Sequence, residues 1–298
     1  MGPRRRPLRT ALLVLAGIVA ACAALFLWTG LNPAWRTPES GGAAVEQGRR
    51  ERLRVFAINL AKLGFHRGGL RFASQEEVLE RLESVAEAIR RERADLVFLS
   101  EVVWEAGPEP TNQVTELARR TGLSAYAYGD NYRFGLPFLR IRTGNAILSR
   151  YPLRAREVQQ LVGARPFYAP TNNRRILWCE LELGEETVLV GSVRNDSFDL
   201  ANNARQAQQI LERLDARPAL LAGDFNAEPQ DEAMQLFAAS GRFARFDVGD
   251  ATFPAGAPRR RIDYVLAPSS WETVELRTVG GLPSDHLAVS CELKLPSP

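Results

Sequence analysis

Short apolar runs, each ending near a polar residue, recur along the chain from Leu53 onward. Residues 54–59, 95–101, 176–183, 188–193 and 219–222 are runs of this kind. Their length and composition are typical of buried β-strands, whereas only residues 75–93 and 201–214 carry the apolar spacing of longer helices. Many strands with few long helices predict an α/β fold. In it, β-sheets pack together and helices cover them, within one domain that extends from residue 53 to the end.

The first 52 residues follow a different pattern. Four arginines within residues 4–9 precede an uncharged stretch, residues 11–28, which is just long enough to cross the hydrocarbon core of a bilayer. Positive charge before such a stretch predicts that the N-terminus stays in the cytoplasm and that the rest lies outside. We therefore predict a signal anchor or transmembrane segment over residues 1–30, a flexible tether over 31–52 and a folded domain over 53–298. Cleavage or lipidation near Cys22 is left open.

The charge of the chain is carried almost entirely by arginine. The net charge is +3, and of the 38 basic residues only Lys62 and Lys294 are lysines. Arginine forks suit phosphate groups, although a coding bias explains the same composition. Cys179 and Cys291 lie in apolar runs, where a buried free thiol is the expected state, and a disulfide between them is left open.

Polar residues stand where the predicted strands stop. The set comprises Asn59, Glu101, Asp224, Asn226, Asp263, Asp285 and His286. A single aspartate after a strand is usually a turn or capping residue. Strand ends on one edge of a sheet converge, however, so the whole set predicts a site of carboxylate and amide oxygens. Such oxygens suit a hard cation such as Mg²⁺.

Several motifs are more specific than the strand pattern. They are LAGDFN at 221–226, RIDY at 261–264, SDH at 284–286 and GNAILSRYP at 144–152. With them the chain resembles the endonuclease/exonuclease/phosphatase superfamily, whose DNase I-like fold is shared by abasic-site endonucleases, bacterial sphingomyelinases and inositol-polyphosphate phosphatases. The resemblance implies a four-layer sandwich of two packed β-sheets flanked by helices. It also implies hydrolysis of a phosphate ester by residues 53–298 with Mg²⁺, or with Mn²⁺ or Ca²⁺.

The resemblance also implies roles for individual residues. Asn59, Glu101 and Asp285 would hold the metal, which polarises the phosphoryl oxygens. Asp224 would align or deprotonate the attacking water. Asn226 would position the water and the phosphate.

A second group of residues would act on the phosphate. His286, oriented by Asp263, would donate to the phosphate or assist the leaving group. Asn145, within the 144–152 motif, would bind the substrate. Two positions depart from the family pattern: Ser100 replaces the usual Gln, and Arg194 replaces the His that ends the corresponding strand. We expect Arg194 to orient Asp224, lowering its pKa, or to clamp the phosphate.

The sequence is compatible with several classes of substrate. An exported or membrane-anchored nuclease acting on DNA or RNA is favoured, because several arginines could follow a nucleic-acid backbone. They are Arg133, Arg140, Arg142, Arg165, Arg174, Arg175 and Arg259 to Arg261. The alternatives are a sphingomyelinase-like phospholipid hydrolase, an inositol-phosphate hydrolase and a non-catalytic phosphate-binding relative. The sequence implies no protein partner.

Overall fold

A computed structural model describes residues 5–31, 37–48, 50–65, 72–107, 111–136, 139–163, 174–246 and 248–297. The strands are β1 (Glu39–Gly41), β2 (Arg52–Asn59), β3 (Leu96–Ala106), β4 (Ala125–Leu136), β5 (Leu139–Ser149), β6 (Leu153–Gln160), β7 (Arg175–Leu183), β8 (Glu186–Arg194), β9 (Ala219–Asp224), β10 (Asp263–Leu266), β11 (Glu272–Val279) and β12 (Ala288–Lys294). The α-helices are α1 (Arg5–Leu31), α2 (Gln75–Arg91), α3 (Gln113–Thr121), α4 (Leu200–Arg213) and α5 (Glu232–Ala239).

The strands form two mixed sheets. The larger has seven strands in the order β1-β4-β5-β3-β2-β12-β11, and the smaller has five in the order β10-β9-β8-β7-β6. Within the larger sheet β2 and β3 are parallel, as are β8 and β9 within the smaller one, and the other pairs are antiparallel. The two parallel pairs bring several strand ends to one edge of the molecule.

The three largest clusters of the core alternate with the sheets. Side chains such as Phe98 of β3 and Leu220 of β9 fill the space between the two sheets. Leu82 of α2 belongs to the cluster outside the larger sheet, and Ile210 of α4 belongs to the cluster outside the smaller sheet. This arrangement confirms the four-layer DNase I-like sandwich.

Local signals fix the helices on the outer faces. A capping box starts α2: Ser74 accepts from the backbone N–H of Glu77, whose side chain accepts from the N–H of Ser74. Asp199 caps α4 by accepting from the N–H of Asn202. The two long helices predicted from apolar spacing are therefore α2 and α4.

Part of the predicted tether belongs to the folded domain. The β1 strand pairs with β4, Gly41 lying opposite Tyr126, and Glu39 of β1 forms an ion pair with Arg142. The backbone N–H of Val45 donates to the carbonyl of Arg150 at 2.9 Å. The prediction of a flexible tether over all of 31–52 is therefore corrected for residues 39–46, because edge pairing, an ion pair and backbone hydrogen bonds hold this part on the sheet.

Helix α1 contains one stretch, Leu8–Trp28, long and apolar enough to cross a membrane. A signal sequence near the N-terminus can meet the same criteria of length and composition. Cys22 lies within this stretch, and Cys179 and Cys291 are buried free thiols.

Candidate active site

Five strand ends meet at one edge of the sandwich. Asn59 ends β2, Arg194 ends β8 and Asp224 ends β9, while Asp263 begins β10. The strand register places Asp224 opposite both Arg194 and Asp263. His286 lies two residues before β12, which pairs with β2. The strand order of the sheets therefore brings these sequence-distant side chains together.

Glu101 reaches the site from within β3 because of a bulge. The pairing of β3 with β5 shifts register between Leu99 and Val102, and Glu101 has a φ of 51°. Left-handed backbone is uncommon for a residue with a Cβ and occurs often at functional sites. A bulge re-aims a side chain, and here it directs the Glu101 carboxylate toward Asn59 and Arg194.

Asn59 connects the acidic groups of the site. Its Nδ2 donates to Asp224 Oδ2 at 3.0 Å and to Glu101 Oε1 at 3.3 Å, and it lies 3.4 Å from His286 Nε2. Its Oδ1 accepts from the backbone N–H of Ala61 at 2.9 Å. In this orientation Asn59 fixes the distance between two carboxylates that come from different sheets.

The imidazole of His286 is held by Asp263. The distance from His286 Nδ1 to Asp263 Oδ2 is 2.9 Å, and Thr252 Oγ1 donates to the same carboxylate oxygen at 2.6 Å. Burial alone would lower the pKa of His286, but the hydrogen bond to Asp263 and its negative charge raise that pKa to about 9. His286 is therefore a cation at neutral pH and has a proton to donate from Nε2.

Asp224 is a buried carboxylate whose pKa is also raised, but in its case the raised pKa disfavours the charged form. Burial and the neighbouring charge of Asp263 raise its pKa to about 6, against the attraction of His286 and Arg194. Because its pKa lies near neutrality, Asp224 is well matched to accept a proton.

Glu101 is ionised at any ordinary pH. Burial would raise its pKa, but the positive charges of Arg194 and Lys62, with hydrogen bonds from Lys62 and Asn59, hold that pKa well below its usual range. Arg194 Nη2 donates to Glu101 Oε1, and Lys62 Nζ donates to Oε2. Arg194 therefore lies in the site, but its carboxylate partner is Glu101. The expected lowering of the Asp224 pKa is wrong, since burial and Asp263 outweigh the charge of Arg194.

The residues after Arg194 serve the fold. Asn195 Nδ2 donates to Asn203 Oδ1 at 3.1 Å, and the backbone N–H of Asp196 donates to Gln206 Oε1 at 2.8 Å. These bonds tie the end of β8 to α4. They leave the guanidinium of Arg194 as the group that this strand delivers to the site.

A second guanidinium, that of Arg174, is close enough to Arg194 for the two positive charges to repel each other. Arg174 is 3% exposed, and burial and the charge of Arg194 lower its pKa to about 10. Its Nη2 donates to Ser197 Oγ at 2.8 Å. Among the described residues, the buried Nε atoms of Arg174 and Arg194 have no hydrogen-bond partner. Two neighbouring guanidiniums with unused donors are an arrangement that an anion stabilises.

The sequence model of the Endonuclease/Exonuclease/phosphatase family matches residues 67–286. The chain belongs to this family. The uncharacterized protein YbhP of Escherichia coli K12 is 30% identical to the chain over 274 residues, covering 84% of this chain and 99% of that protein.

Solved structures share the fold at lower identity. An endonuclease/exonuclease/phosphatase from Beutenbergia cavernae superposes with a TM-score of 0.64 at 23% identity, covering 83% of this chain and 72% of that one. A mannosyl-6-phosphatase of Bacteroides thetaiotaomicron gives a TM-score of 0.56 at 15% identity, covering 81% and 99%. A humanized D. rerio TDP2 gives 0.55 at 14% identity, covering 82% and 100%.

Members of this family typically use a divalent metal, and the donors present suit a hard cation. Glu101 offers an ionised carboxylate, whereas Asn59 presents its amide nitrogen and must turn to offer its oxygen. Asp285, also predicted to bind the metal, has an exposed side chain and lies at the rim beside His286. Within the described ranges, one close group of three possible ligands comprises Asp224, Asp263 and His286.

Two asparagines predicted to contact the substrate differ in their surroundings. Asn226 has a φ of 50°, and its backbone N–H donates to Asp224 Oδ1 at 3.1 Å, so it orients that carboxylate. Asn145 is fully buried, and its Nδ2 donates to the carbonyls of Arg175 and Ser192. The prediction that Asn145 binds substrate is therefore corrected: its amide joins β5 to the other sheet.

Most of the arginines considered for a nucleic-acid backbone have partners within the fold. Arg140 pairs with Glu105, Arg260 with Glu228, and Arg142 with Asp130 and Glu39. Arg175 donates to Gln160 and to the carbonyl of Asp130, and Arg261 stacks on Tyr264. Arg259 is exposed, Arg133 is partly exposed, and Arg165 lies outside the described residues.

Lys62, Arg174 and Thr252 were not predicted as active-site residues from the sequence. Lys62 did carry a signal, because it is one of two lysines in an arginine-rich chain and follows Asn59 by three residues. Arg174 was predicted only as one of several arginines that could follow a nucleic-acid backbone. Nothing in the sequence distinguishes Thr252 from other threonines.

Proposed function

We propose that this chain is a metal-dependent phosphodiesterase, with nucleic acid as the favoured substrate. The observation that carries the proposal is a pair of neighbouring guanidiniums, the buried Arg174 and the partly buried Arg194, beside Asp224 and Glu101. A phosphodiester is an anion that can accept from both. A bound phosphate also relieves the repulsion that contributes to the low pKa of Arg174.

The buried residues supply an acid and a base in the required protonation states. Asp224, with a pKa of about 6, accepts the proton of the attacking water. His286, with a pKa of about 9, donates from Nε2 to the phosphoryl oxygen or to the leaving group. Asp263 and Thr252 orient the imidazole, and Asn226 orients Asp224.

Glu101 is the residue that would hold the metal, with Asn59 beside it and Asp285 at the rim. A bound Mg²⁺ or Mn²⁺ supplies charge neutralisation at the phosphoryl oxygens. Glu101 suits this task because it is ionised at every ordinary pH, so metal and proton do not compete for it.

We further propose that α1 anchors the enzyme with its catalytic domain outside the cytoplasm, as the arginines before the apolar stretch favour. Helix α1 ends at Leu31 and β1 begins at Glu39. Eight residue steps span at most about 28 Å when fully extended. An uncleaved anchor would therefore keep β1, and the sheet to which it is paired, near the membrane surface.

The activity is tested with the full chain purified in detergent. It is assayed on bis-p-nitrophenyl phosphate and then on DNA, RNA, sphingomyelin and inositol phosphates, each with Mg²⁺, Mn²⁺ or Ca²⁺ and with EDTA. We expect metal-dependent hydrolysis of the diester and cleavage of nucleic acid. Selective cleavage of sphingomyelin or inositol phosphates would redirect the substrate assignment, and phosphate binding without turnover would favour a non-catalytic role.

The topology is tested separately. Protease added to intact spheroplasts that carry the full chain should digest residues 53–298, while a cytoplasmic marker stays intact. Full protection of the domain would contradict the proposed orientation without affecting the assignment of activity.

A further inference from the structure

Both oxygens of the Glu101 carboxylate have a cationic partner from the chain. Arg194 donates to Oε1, which also accepts from Asn59 at 3.3 Å, and Lys62 donates to Oε2. A divalent metal that binds Glu101 through Oε2 must take the position of the Lys62 ammonium. Arg194 and Lys62 differ in how readily each can move away from the Glu101 carboxylate.

Arg194 is the more firmly held of the two. It belongs to β8, its backbone pairs with β9, and its side chain is 19% exposed. Lys62 lies in the short turn Ala61–Gly64, and its side chain is 37% exposed. The ammonium is therefore the partner that can move into the open part of the site.

The turn that carries Lys62 has an unusual backbone. Ala61, Lys62 and Leu63 have φ values of 45°, 56° and 53°, although none is glycine. Two side chains of the site region hold it: Asn59 Oδ1 accepts from the N–H of Ala61, and Gln113 Nε2 donates to the carbonyl of Lys62 at 3.1 Å. Left-handed conformations at residues with a Cβ persist only where the surroundings enforce them, and they cluster at functional sites.

The residue type is informative as well. In a chain with 38 basic residues, Lys62 is one of two lysines. A guanidinium would grip a carboxylate with two parallel donors, whereas an ammonium is a compact charge on a flexible stem with rotatable donors. Lysine is thus the better choice for a cation that has to exchange between partners.

We propose that Lys62 is an exchangeable counter-ion of Glu101. The ammonium and the divalent metal compete for Oε2, and the released ammonium binds a phosphate oxygen of the substrate. Metal and phosphate then bind cooperatively, because each stabilises the state in which Lys62 has left Glu101. The inference rests on the proposed function, since it requires a metal at Glu101.

The test measures Mn²⁺ binding directly, by calorimetry and by the electron paramagnetic resonance signal of free Mn²⁺, on the full chain in detergent. Lys62→Met should bind Mn²⁺ about tenfold more tightly than the wild type, a typical size for coupling between two sites. Lys62→Arg should bind it no more tightly than the wild type. Lys294→Met is the matched control and should leave the affinity unchanged, because Lys294 is exposed and remote from Glu101.

The same titrations with dimethyl phosphate, a diester anion that resists hydrolysis, measure the coupling. The phosphate should tighten Mn²⁺ binding to the wild type and should do so less for Lys62→Met. Equal Mn²⁺ affinity in the wild type and Lys62→Met would overturn the role of Lys62. If Glu101→Gln binds Mn²⁺ as the wild type does, the metal site of the proposed function fails instead.

Discussion

Glu101 and Asp224 are two carboxylates that accept from the same amide nitrogen of Asn59, yet their pKa values shift in opposite directions. Two chain cations and hydrogen bonds hold the pKa of Glu101 below its usual range despite burial. Asp224 faces another carboxylate, Asp263, so burial and repulsion raise its pKa to about 6. The neighbouring charges, and not burial alone, decide the sign of each shift.

The opposite pKa shifts of Glu101 and Asp224 suit the two carboxylates to different tasks. Two carboxylates in the same environment could not perform both. A metal ligand should stay ionised, which the Glu101 side of the site ensures through Arg194 and Lys62. A base should release and accept its proton near neutral pH, which the Asp224 side provides through its pairing opposite Asp263. Exchanging the roles of the two carboxylates should therefore be impossible without moving the cations.

The largest effect is expected from removing the base. Asp224→Asn should lower kcat by about 10²- to 10⁴-fold, the usual contribution of a general base, while Mn²⁺ affinity stays near that of the wild type. Glu101→Gln should instead lose Mn²⁺ affinity, so that a higher metal concentration is needed for activity.

Kinetics and metal titration on the same preparations test this contrast, and Asp250→Asn, an exposed aspartate, is the control. The division of tasks would be wrong if both variants lost metal affinity equally.

The next largest effect is expected from replacing Arg194, which stands where the family usually has a histidine. Arg194→Ala should lower turnover by about 10², comparable to removing a preorganised transition-state donor. Arg194→Lys should restore little, because one ammonium cannot serve both Glu101 and a phosphate as a guanidinium can. Steady-state kinetics of the three proteins measure this. Wild-type turnover and KM in Arg194→Ala would remove the arginine from the mechanism.

The sequence predicted that polar residues at the ends of regular strands lie close together, and the structure places them so. Asn59, Asp224 and Asp263 stand at strand ends, and once parallel strands are recognised their convergence follows from sheet geometry. The family motifs supplied the four-layer arrangement. They did so because such motifs mark positions that a buried, hydrogen-bonded site fixes tightly.

What the sequence did not predict depends on irregular backbone and on charge balance. Lys62 enters the site through three consecutive left-handed residues, Ala61, Lys62 and Leu63, none of which is the glycine that such a backbone usually requires. Glu101 turns toward Arg194 through a bulge, so the arginine's partner was assigned to Asp224 instead. The tether was read as flexible from its composition, which cannot reveal that β1 pairs with an edge strand.

A smaller effect is expected from replacing Arg174, whose guanidinium touches neither Glu101 nor Asp224 directly. Arg174→Gln should raise KM or lower kcat/KM by about tenfold, the size of one charge-assisted hydrogen bond, with Mn²⁺ affinity unchanged. Arg205→Gln, an exposed arginine on α4, is the matched control. Because Arg174 is buried, its replacement could destabilise the fold. Thermal unfolding of both variants checks that the fold is retained. Normal kcat/KM in a folded Arg174→Gln would remove it from the phosphate site.

The subtlest effect is on the pH profile. Activity requires Asp224 deprotonated and His286 protonated, so kcat/KM should rise with pH through about 6 and fall through about 9. Asp263 raises both pKa values: its charge disfavours ionisation of Asp224, and its hydrogen bond and charge favour the imidazolium of His286. Removing the charge of Asp263 should therefore lower the pKa values of both Asp224 and His286.

Asp263→Asn should therefore shift both limbs of the profile toward acid pH, in addition to lowering the maximum rate. A purely structural role for Asp263 would reduce the rate without moving the limbs, so the shift is the informative readout. The profile is measured at saturating Mg²⁺ for the wild type and the variant. An acid limb that moves alone would assign the coupling to Asp224 only, and two fixed limbs would show that Asp263 does not set the protonation of either group.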